Sequence, residues 1–521
     1  MTRIATDPSG ADLCGLRMAN RAARRSNPKF PRHPRRVWLL VFAPPDHPIS
    51  TTRSPDEFML RWRLFNPRLQ RIRLASAVEV PTSQRKRGRL LRILGFGFGL
   101  AIIVGNTIGV GILRTPGDVA TQLPNRGLFL SVWIAGGVFT FLAAMNITEL
   151  GTMLPYSGGH YTFARHALGE YPGFVIGWTD WLSTCGSESA VAVVLGEYLG
   201  LLLPTLAGKS RLVAAIIVIS LAALQWRGVR WGSRFQQFST LLKGLGFFAV
   251  VAACFFFKAP GLAPVLAPSA QIPHGWFLFV AFLLAMQSMI YTYDGWAGVI
   301  YFSEEVEDPV RNIPRSMFGG ALAVAAIYIS VAWAIVHVLP IGAVAGKSMA
   351  LGTAADRIWS GQGTRLIAAL TIVSVISFMN ACHLMSSRVL YAMSRDKLIL
   401  RHADVVNRGG TPTVALALST AAALMFVLYG GFNKIIAVLA FFFVINYIAD
   451  LVSIFVLRHR EPNRERPYRV PGYPWTTVLT LAIYAAFLGS IIAADTRNSV
   501  YALLLLAASY PAFRGLKKLV G

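Results

Sequence analysis

Three features of the sequence predict an all-α membrane protein with twelve transmembrane helices. Of its 521 residues, 54% are hydrophobic and only 14% charged, and the mean hydropathy is +0.52. Apolar runs of about 20 residues, the length a spanning helix needs, recur along the chain. Lys and Arg fall in alternate loops between those runs, the bias that orients helices in a bilayer. This bias also explains the net charge of +26 without invoking nucleic acid.

Runs bounded by Gly, Pro and charge place the spans at 93–122, 128–150, 174–202, 211–226, 235–257, 276–303, 316–339, 364–393, 412–430, 433–457, 474–494 and 499–513. With a cytoplasmic N-terminus, one side receives "RKRGRLLR" (Arg85 to Arg92), "RGVRWGSR" (Arg227 to Arg234), "RDKLILRH" (Arg395 to His402) and "RHREPNRERPYR" (Arg458 to Arg469). From residue 85 onward, with basic residues inside the quoted span limits assigned to the nearer side, 24 Lys and Arg fall on that side and 10 on the other, and Lys243 is counted apart as within a span. Both termini are expected in the cytoplasm, with the chain in the cell membrane.

Residues 1–84 carry 15 basic and 6 acidic side chains with prolines and no sustained periodicity, and are read as a disordered extension. A misassigned start, with Met59 as one candidate, is the alternative, and contact with anionic lipid is its functional reading. The apolar run "VWLLVFA" (Val37 to Ala43) is too short to span, and no convincing cleavage site follows it. Residues 85–460 form the membrane core of helices 1–10, and 461–521 hold helices 11 and 12 and the C-terminus.

Cys14, Cys185, Cys254 and Cys382 are scattered and give neither a disulfide frame nor a metal site. No Walker loop appears, and "GFGFG" (Gly95 to Gly99) lacks the strand-turn-helix setting of a dinucleotide site. No cofactor is expected, and no nucleophile and base stand in an arrangement that suggests an enzyme. A channel requires a continuous polar pore, and the ionisable residues here are isolated on different spans.

Two spans are irregular. Span 1 contains "GNTIGVGIL" (Gly105 to Leu113), three glycines at membrane depth, each costing a helix about 1 kcal/mol relative to alanine. Span 6 contains "YTYDGWAG" (Tyr291 to Gly298), where Asp294 costs at least ~2.5 kcal/mol unless it faces a cavity or partner. The breaks lie five crossings apart, so the second set of five enters from the opposite face, the sequence mark of an inverted repeat. Gly109 and Gly111 let the backbone leave helical geometry. The freed amides of the outer half-helix favour a carboxylate, and freed carbonyls favour an ammonium. An α-amino acid satisfies both. Close packing of small residues is the alternative reading of the glycines.

These residues resemble the amino acid–polyamine–organocation superfamily, especially its L-type and cationic amino-acid transporter branch. Besides "GNTIGVGIL", the resemblance rests on Ile147 to Leu182, Tyr291 to Ser316, Ser387 to Leu398 and Leu457 to Trp475, in that order. It implies a twelve-helix permease with a five-plus-five inverted repeat, the LeuT-like arrangement, in which helices 1 and 6 are discontinuous. By the same resemblance the substrate carboxylate is held by the amides of Gly109, Val110 and Gly111. The amino group is held by carbonyls near Thr107, Ile108, Tyr291, Thr292 and Asp294. Tyr291 covers the substrate as a gate, or is a packed interfacial aromatic. Lys243 occupies the place of a sodium ion and tethers helix 1 or carries a proton; snorkelling to the interface is the alternative. Departures are Val110 where Ser is frequent, Leu113 for Phe, His160 where Glu is common, and "RDKLIL" without the usual Gly and Pro.

Glu188, near the middle of span 3, is read as structurally paired, with protonation or a place in the pocket of a cationic ligand as alternatives. Asn380 lies beside the side-chain pocket or makes an interhelical hydrogen bond. His383 is read as a packed residue rather than a proton relay. The charged loop Glu304 to Arg315 helps hold an inward gate or is a solvated face. The function implied is sodium-independent secondary transport of amino acids, neutral ones ahead, by proton coupling or exchange; a polyamine or organocation carrier is the alternative. The loop Leu203 to Arg211 contains no cysteine, so a stand-alone carrier, monomer or dimer, is expected without a disulfide-linked heavy chain. The expected partners are the amino acid and the lipid bilayer.

Overall fold

A computed structural model describes residues 89–257, 271–429 and 432–520. The N-terminal extension and its run Val37 to Ala43 lie outside the described residues. The described residues form sixteen α-helices: α1 Phe96–Thr107, α2 Gly111–Gln122, α3 Arg126–Met153, α4 His160–Leu168, α5 Glu170–Leu202, α6 Ser210–Trp226, α7 Val229–Phe256, α8 Trp276–Tyr293, α9 Pro309–Val338, α10 Ile341–Val344, α11 Ala350–Ile358, α12 Gly363–Arg395, α13 Thr413–Tyr429, α14 Phe432–Arg460, α15 Trp475–Ala494 and α16 Thr496–Val520. Among the described residues there is no β-sheet, only two isolated bridges.

Among the described residues, nine helical spans are long and apolar enough to cross a bilayer, or ten when α1 and α2, bent by 47° at their break, count as one. The helices at expected spans 4 and 9, α6 and α13, are apolar but have only 17 residues each. Several helices outrun the apolar stretch that predicted them. Span 5, expected from residue 235, begins at Val229, because the helix continues through its basic flank. The short helices α4, α10 and α11 were not anticipated, lying in segments too short or too polar to span.

The membrane setting is visible in how α7 divides its faces. Gln236, Thr240, Lys243, Phe247 and Val250 repeat every three or four residues and are buried, whereas Phe238, Leu241, Leu245 and Phe248 are exposed. Polar side chains face the bundle and large apolar ones face outward, the reverse of a helix on a water-soluble protein.

At the end of the bundle where α1 begins, the chain before α1 is fastened to the chain after the sixth span. Leu94 N–H donates to the Glu305 carbonyl at 3.0 Å, Glu307 N–H to Leu94 at 2.9 Å, and Arg92 Nε to Val306 at 3.1 Å. Glu305 meets Arg388 of α12 through two parallel bonds of 3.0 and 3.1 Å, with both side chains at 0% exposure. Glu304 pairs with Arg395 at 2.8 Å. Glu305 is therefore a buried anchor, while Glu304, about a third exposed, pairs at the surface of the bundle.

Candidate functional site

Both irregular spans break. Helix α1 stops at Thr107, Ile108 adopts φ −80° and ψ 87°, and α2 starts at Gly111. In the sixth span, α8 runs on through Tyr291 and Thr292 to Tyr293, and Asp294 leaves helical geometry with ψ 151°. A short 3-10 turn resumes at Gly298. The sixth break thus starts three residues later than the quoted motif, and the Tyr291 carbonyl accepts the Asp294 amide at 3.3 Å.

The two breaks touch. Asn106 Nδ2 donates to the Gly295 carbonyl at 3.2 Å. Gly295 has φ +108°, and a Cβ there would lie 2.8–2.9 Å from Asn106, so both conformation and space require glycine. Across the break, a Cβ on Gly111 would stand 3.1–3.3 Å from Thr292, and Thr115 and Thr292 hydroxyls meet at 2.6 Å. The third glycine of the motif, Gly105, has a different purpose. A Cβ there would sit 1.8 Å from Gln236 Nε2, so Gly105 serves close packing of α1 against α7.

Most freed carbonyls of the first break already have protein donors. Lys243 Nζ, fully buried, donates to Gly105 and Ile108 carbonyls at 2.8 Å each. It does not snorkel. Ser374 of α12 also donates to Ile108 at 2.6 Å. The hydroxyl of Tyr328 on α9 lies 2.8 Å from the Thr107 carbonyl and 3.0 Å from that of Thr292, joining both breaks through one hydrogen. The Gly109 amide donates to Thr107 at 2.9 Å. Val110 accepts the amides of Leu113 and Arg114, which leaves the first-turn amides of α2, from Val110 to Ile112, without a preceding turn to bond.

A cavity of about 190 Å³ lies over these breaks, lined by Thr107, Gly109, Val110, Gly111, Tyr291, Thr292 and Asp294. The same cavity is walled by Ser187, Ala190 and Val191 of α5, Phe378 of α12, and Leu439, Ala440 and Phe443 of α14. Tyr291 is 38% exposed and packs edge-on against Phe487 of α15, with ring centroids 5.1 Å apart. Asp294 Oδ1 accepts from the Tyr447 hydroxyl at 2.7 Å.

Three expected site residues are not brought to this cavity. The Ile108 side chain is fully buried and its carbonyl belongs to Lys243 and Ser374. Asn380 points between helices: Nδ2 donates to Gln236 Oε1 at 2.7 Å and to the Gly232 carbonyl at 3.2 Å, and Oδ1 accepts from Gln225 at 3.0 Å. Its place beside a side-chain pocket is corrected to an interhelical clamp joining α12 to α6 and α7. Asn380→Ala is expected to lower stability by about 1–3 kcal/mol through the glutamines left unpaired, with KM unchanged, as thermal unfolding and uptake kinetics would read. Glu188 is buried against His383 of α12 at 2.7 Å, and His383 Nε2 meets Thr420 at 3.0 Å. The structural pairing holds, and His383 is its partner.

Sequence reasoning missed Asn106, Tyr328, Ser374, Tyr447 and the pair His160–Asp450. Asn106 stood inside the quoted motif, and its signal was a polar side chain one residue from a break. Tyr328, in the apolar run of α9, carries no local signal.

The sequence profile of the family described as amino acid permease matches residues 98–509. The serine/threonine exchanger SteT of Bacillus subtilis is 29% identical over 440 residues, covering 82% of this chain and 98% of its own. The human b(0,+)-type amino acid transporter 1 is 27% identical over 439 residues, covering 82% and 88%. The human cystine/glutamate transporter is 25% identical over 390 residues, covering 72% and 75%. These relatives are transporters and not enzymes. A profile match from α1 into α16, laid over a bundle of membrane-crossing helices, places this chain in the amino acid permease family.

Proposed function

We propose that this protein is a sodium-independent secondary carrier of α-amino acids, working by alternating access as an exchanger or with proton coupling. The observation that carries this reading is the meeting of two broken helices at one cavity. Val110 and Gly111 at the N-terminus of α2 line it together with Asp294, whose carboxylate accepts from Tyr447. The amides suit a carboxylate and Asp294 suits an ammonium, so one zwitterion answers both. The apolar wall of Val110, Ala190, Val191, Phe378 and Leu439 favours a neutral side chain. Lys243 supports sodium independence, since its Nζ already donates to the carbonyls that would otherwise receive a cation.

The proposed architecture has twelve crossings, ten of them in a five-plus-five inverted repeat over residues 85–460, with α15 and α16 added. Both termini are cytoplasmic, and no disulfide-linked heavy chain is required. The fastened end at Glu305 and Arg388 is then the cytoplasmic gate, drawn closed. The exchanger and transporters among the relatives support this reading by their names.

The test is uptake by purified protein in liposomes against a panel of amino acids and polyamines, with and without a pH gradient. Saturable, counter-substrate-dependent uptake of α-amino acids is expected. Preference for putrescine over every α-amino acid overturns the carboxylate assignment, because a diamine offers the α2 amides no anion. Asp294→Asn is expected to raise KM for serine about tenfold, equivalent to 1.4 kcal/mol. A larger effect on lysine than on serine reassigns Asp294 to the substrate side chain.

A further inference from the structure

We propose that a second, smaller cavity beside the substrate cavity is a proton-binding site built by His160, Asp450 and Asp180, which gains or loses a proton as substrate binds and leaves. This deepens the carrier reading above and rests on it. The cavity has a volume of about 40 Å³ and is bordered by His160, Asp294, Tyr301 and Tyr447. That is room for about two waters, and polar partners surround it. Ser187, Asp294, Phe378 and Phe443 border both cavities, so the two chambers meet at Asp294.

The charge balance requires protons. His160 Nδ1 lies 2.5 Å from Asp450 Oδ2, with relative exposures of 4% and 0%. Asp180 is also fully buried; its Oδ1 accepts from the Tyr301 hydroxyl at 2.7 Å. Asp180 Oδ2 and Asp450 Oδ1 are buried without a hydrogen-bond partner. Among the described residues, no Lys or Arg forms an ion pair with Asp180, Asp294 or Asp450. Three carboxylates therefore face one imidazole. An unpaired buried charge costs several kcal/mol, so the cluster favours holding a proton, and the imidazole, the strongest base in it, takes it first. An ammonium arriving at Asp294 changes that balance and with it the number of protons held.

The groups facing His160 are Asp450 and Tyr447 from α14, Asp180 from α5, Asp294 and Tyr301 from the sixth span, and Cys382 from α12. The imidazole packs edge-on against Tyr301 and Tyr447, centroids 5.8 and 5.1 Å away, which holds its ring fixed. On its own helix, Tyr161 is bonded to Asp396, and Arg165 and His166 pair with Glu170 and Glu461. In the loading step a hydronium in the cavity gives its proton to imidazole Nε2. One O–H bond breaks, one N–H bond forms, a water remains, and Nδ1–H donates to Asp450. Unloading is the reverse.

The experiment is exchange of L-serine in liposomes between pH ~6 and ~10, a range that spans the value of about 9 to which His160 is raised, with calorimetry of L-serine binding to the wild type in buffers of different ionisation enthalpy. Wild-type exchange is expected to change at least ~5-fold over that range, and His160→Gln and Asp450→Asn to flatten it to within ~2-fold while serine still exchanges. Binding is expected to move roughly one proton, read as a buffer-dependent heat. If wild-type protein exchanges serine and both variants keep its pH profile, the cluster is overturned and the carrier stands. If the wild type moves no amino acid of the panel, the carrier reading itself fails. If the variants do not fold, a wild-type binding heat independent of buffer overturns the proposal, and a dependent one supports it.

Discussion

Lys243→Ala is expected to reduce uptake at least ~100-fold, or about 2.7 kcal/mol of barrier, without loss of the folded protein on size-exclusion chromatography. The reason lies in the two bonds of 2.8 Å from Nζ to Gly105 and Ile108. Those carbonyls flank the end of α1 where the helix opens, and burial denies them water. Removing the side chain leaves the Gly105 carbonyl without its donor, at a cost of about 1–3 kcal/mol, which α1 relieves by shifting. Ser374 still holds Ile108, so the segment remains attached while its position is no longer fixed. Unchanged uptake refutes the tether.

The second large effect concerns the fastened end. Arg388→Met leaves Glu305 as an unpaired carboxylate at 0% exposure, and a loss of about 3–5 kcal/mol in thermal unfolding is expected. The double variant Arg388→Met with Glu305→Met removes both charges and is expected to recover most of that stability, because a buried pair replaced by apolar groups is close to neutral. Activity will not recover with it, if the pair closes one side of the carrier. A double variant as unstable as the single one shows that Arg388 acts through its contact with the Phe302 ring, 5.1 Å away, rather than through its charge.

Much of the site was readable along the chain. Glycines and an aspartate at membrane depth are costly enough to mark a break by themselves, and Thr107, Gly109, Val110, Gly111, Tyr291, Thr292 and Asp294, all named from the sequence, line one cavity. Asn380 was left between a pocket and an interhelical bond for an equally physical reason. A polar side chain in an apolar span must find a partner, and spacing does not say whether that partner is a ligand or two glutamines on other helices. Tyr328 sits in an ordinary apolar run and acquires its importance only where its hydroxyl reaches two breaks at once.

Residue order was enough to reveal a helical, membrane-crossing chain and the two spans that break. Hydropathy and backbone cost are local quantities, summed over neighbours in the chain. Packing in three dimensions settled which carbonyls stay open and which are claimed by Lys243, Ser374 and Tyr328. It also decided that His160 lies against Asp450, 290 residues away. Hydrogen bonds and charge balance depend on distance in space, and in a bundle that distance is set by packing between helices that the chain order leaves far apart.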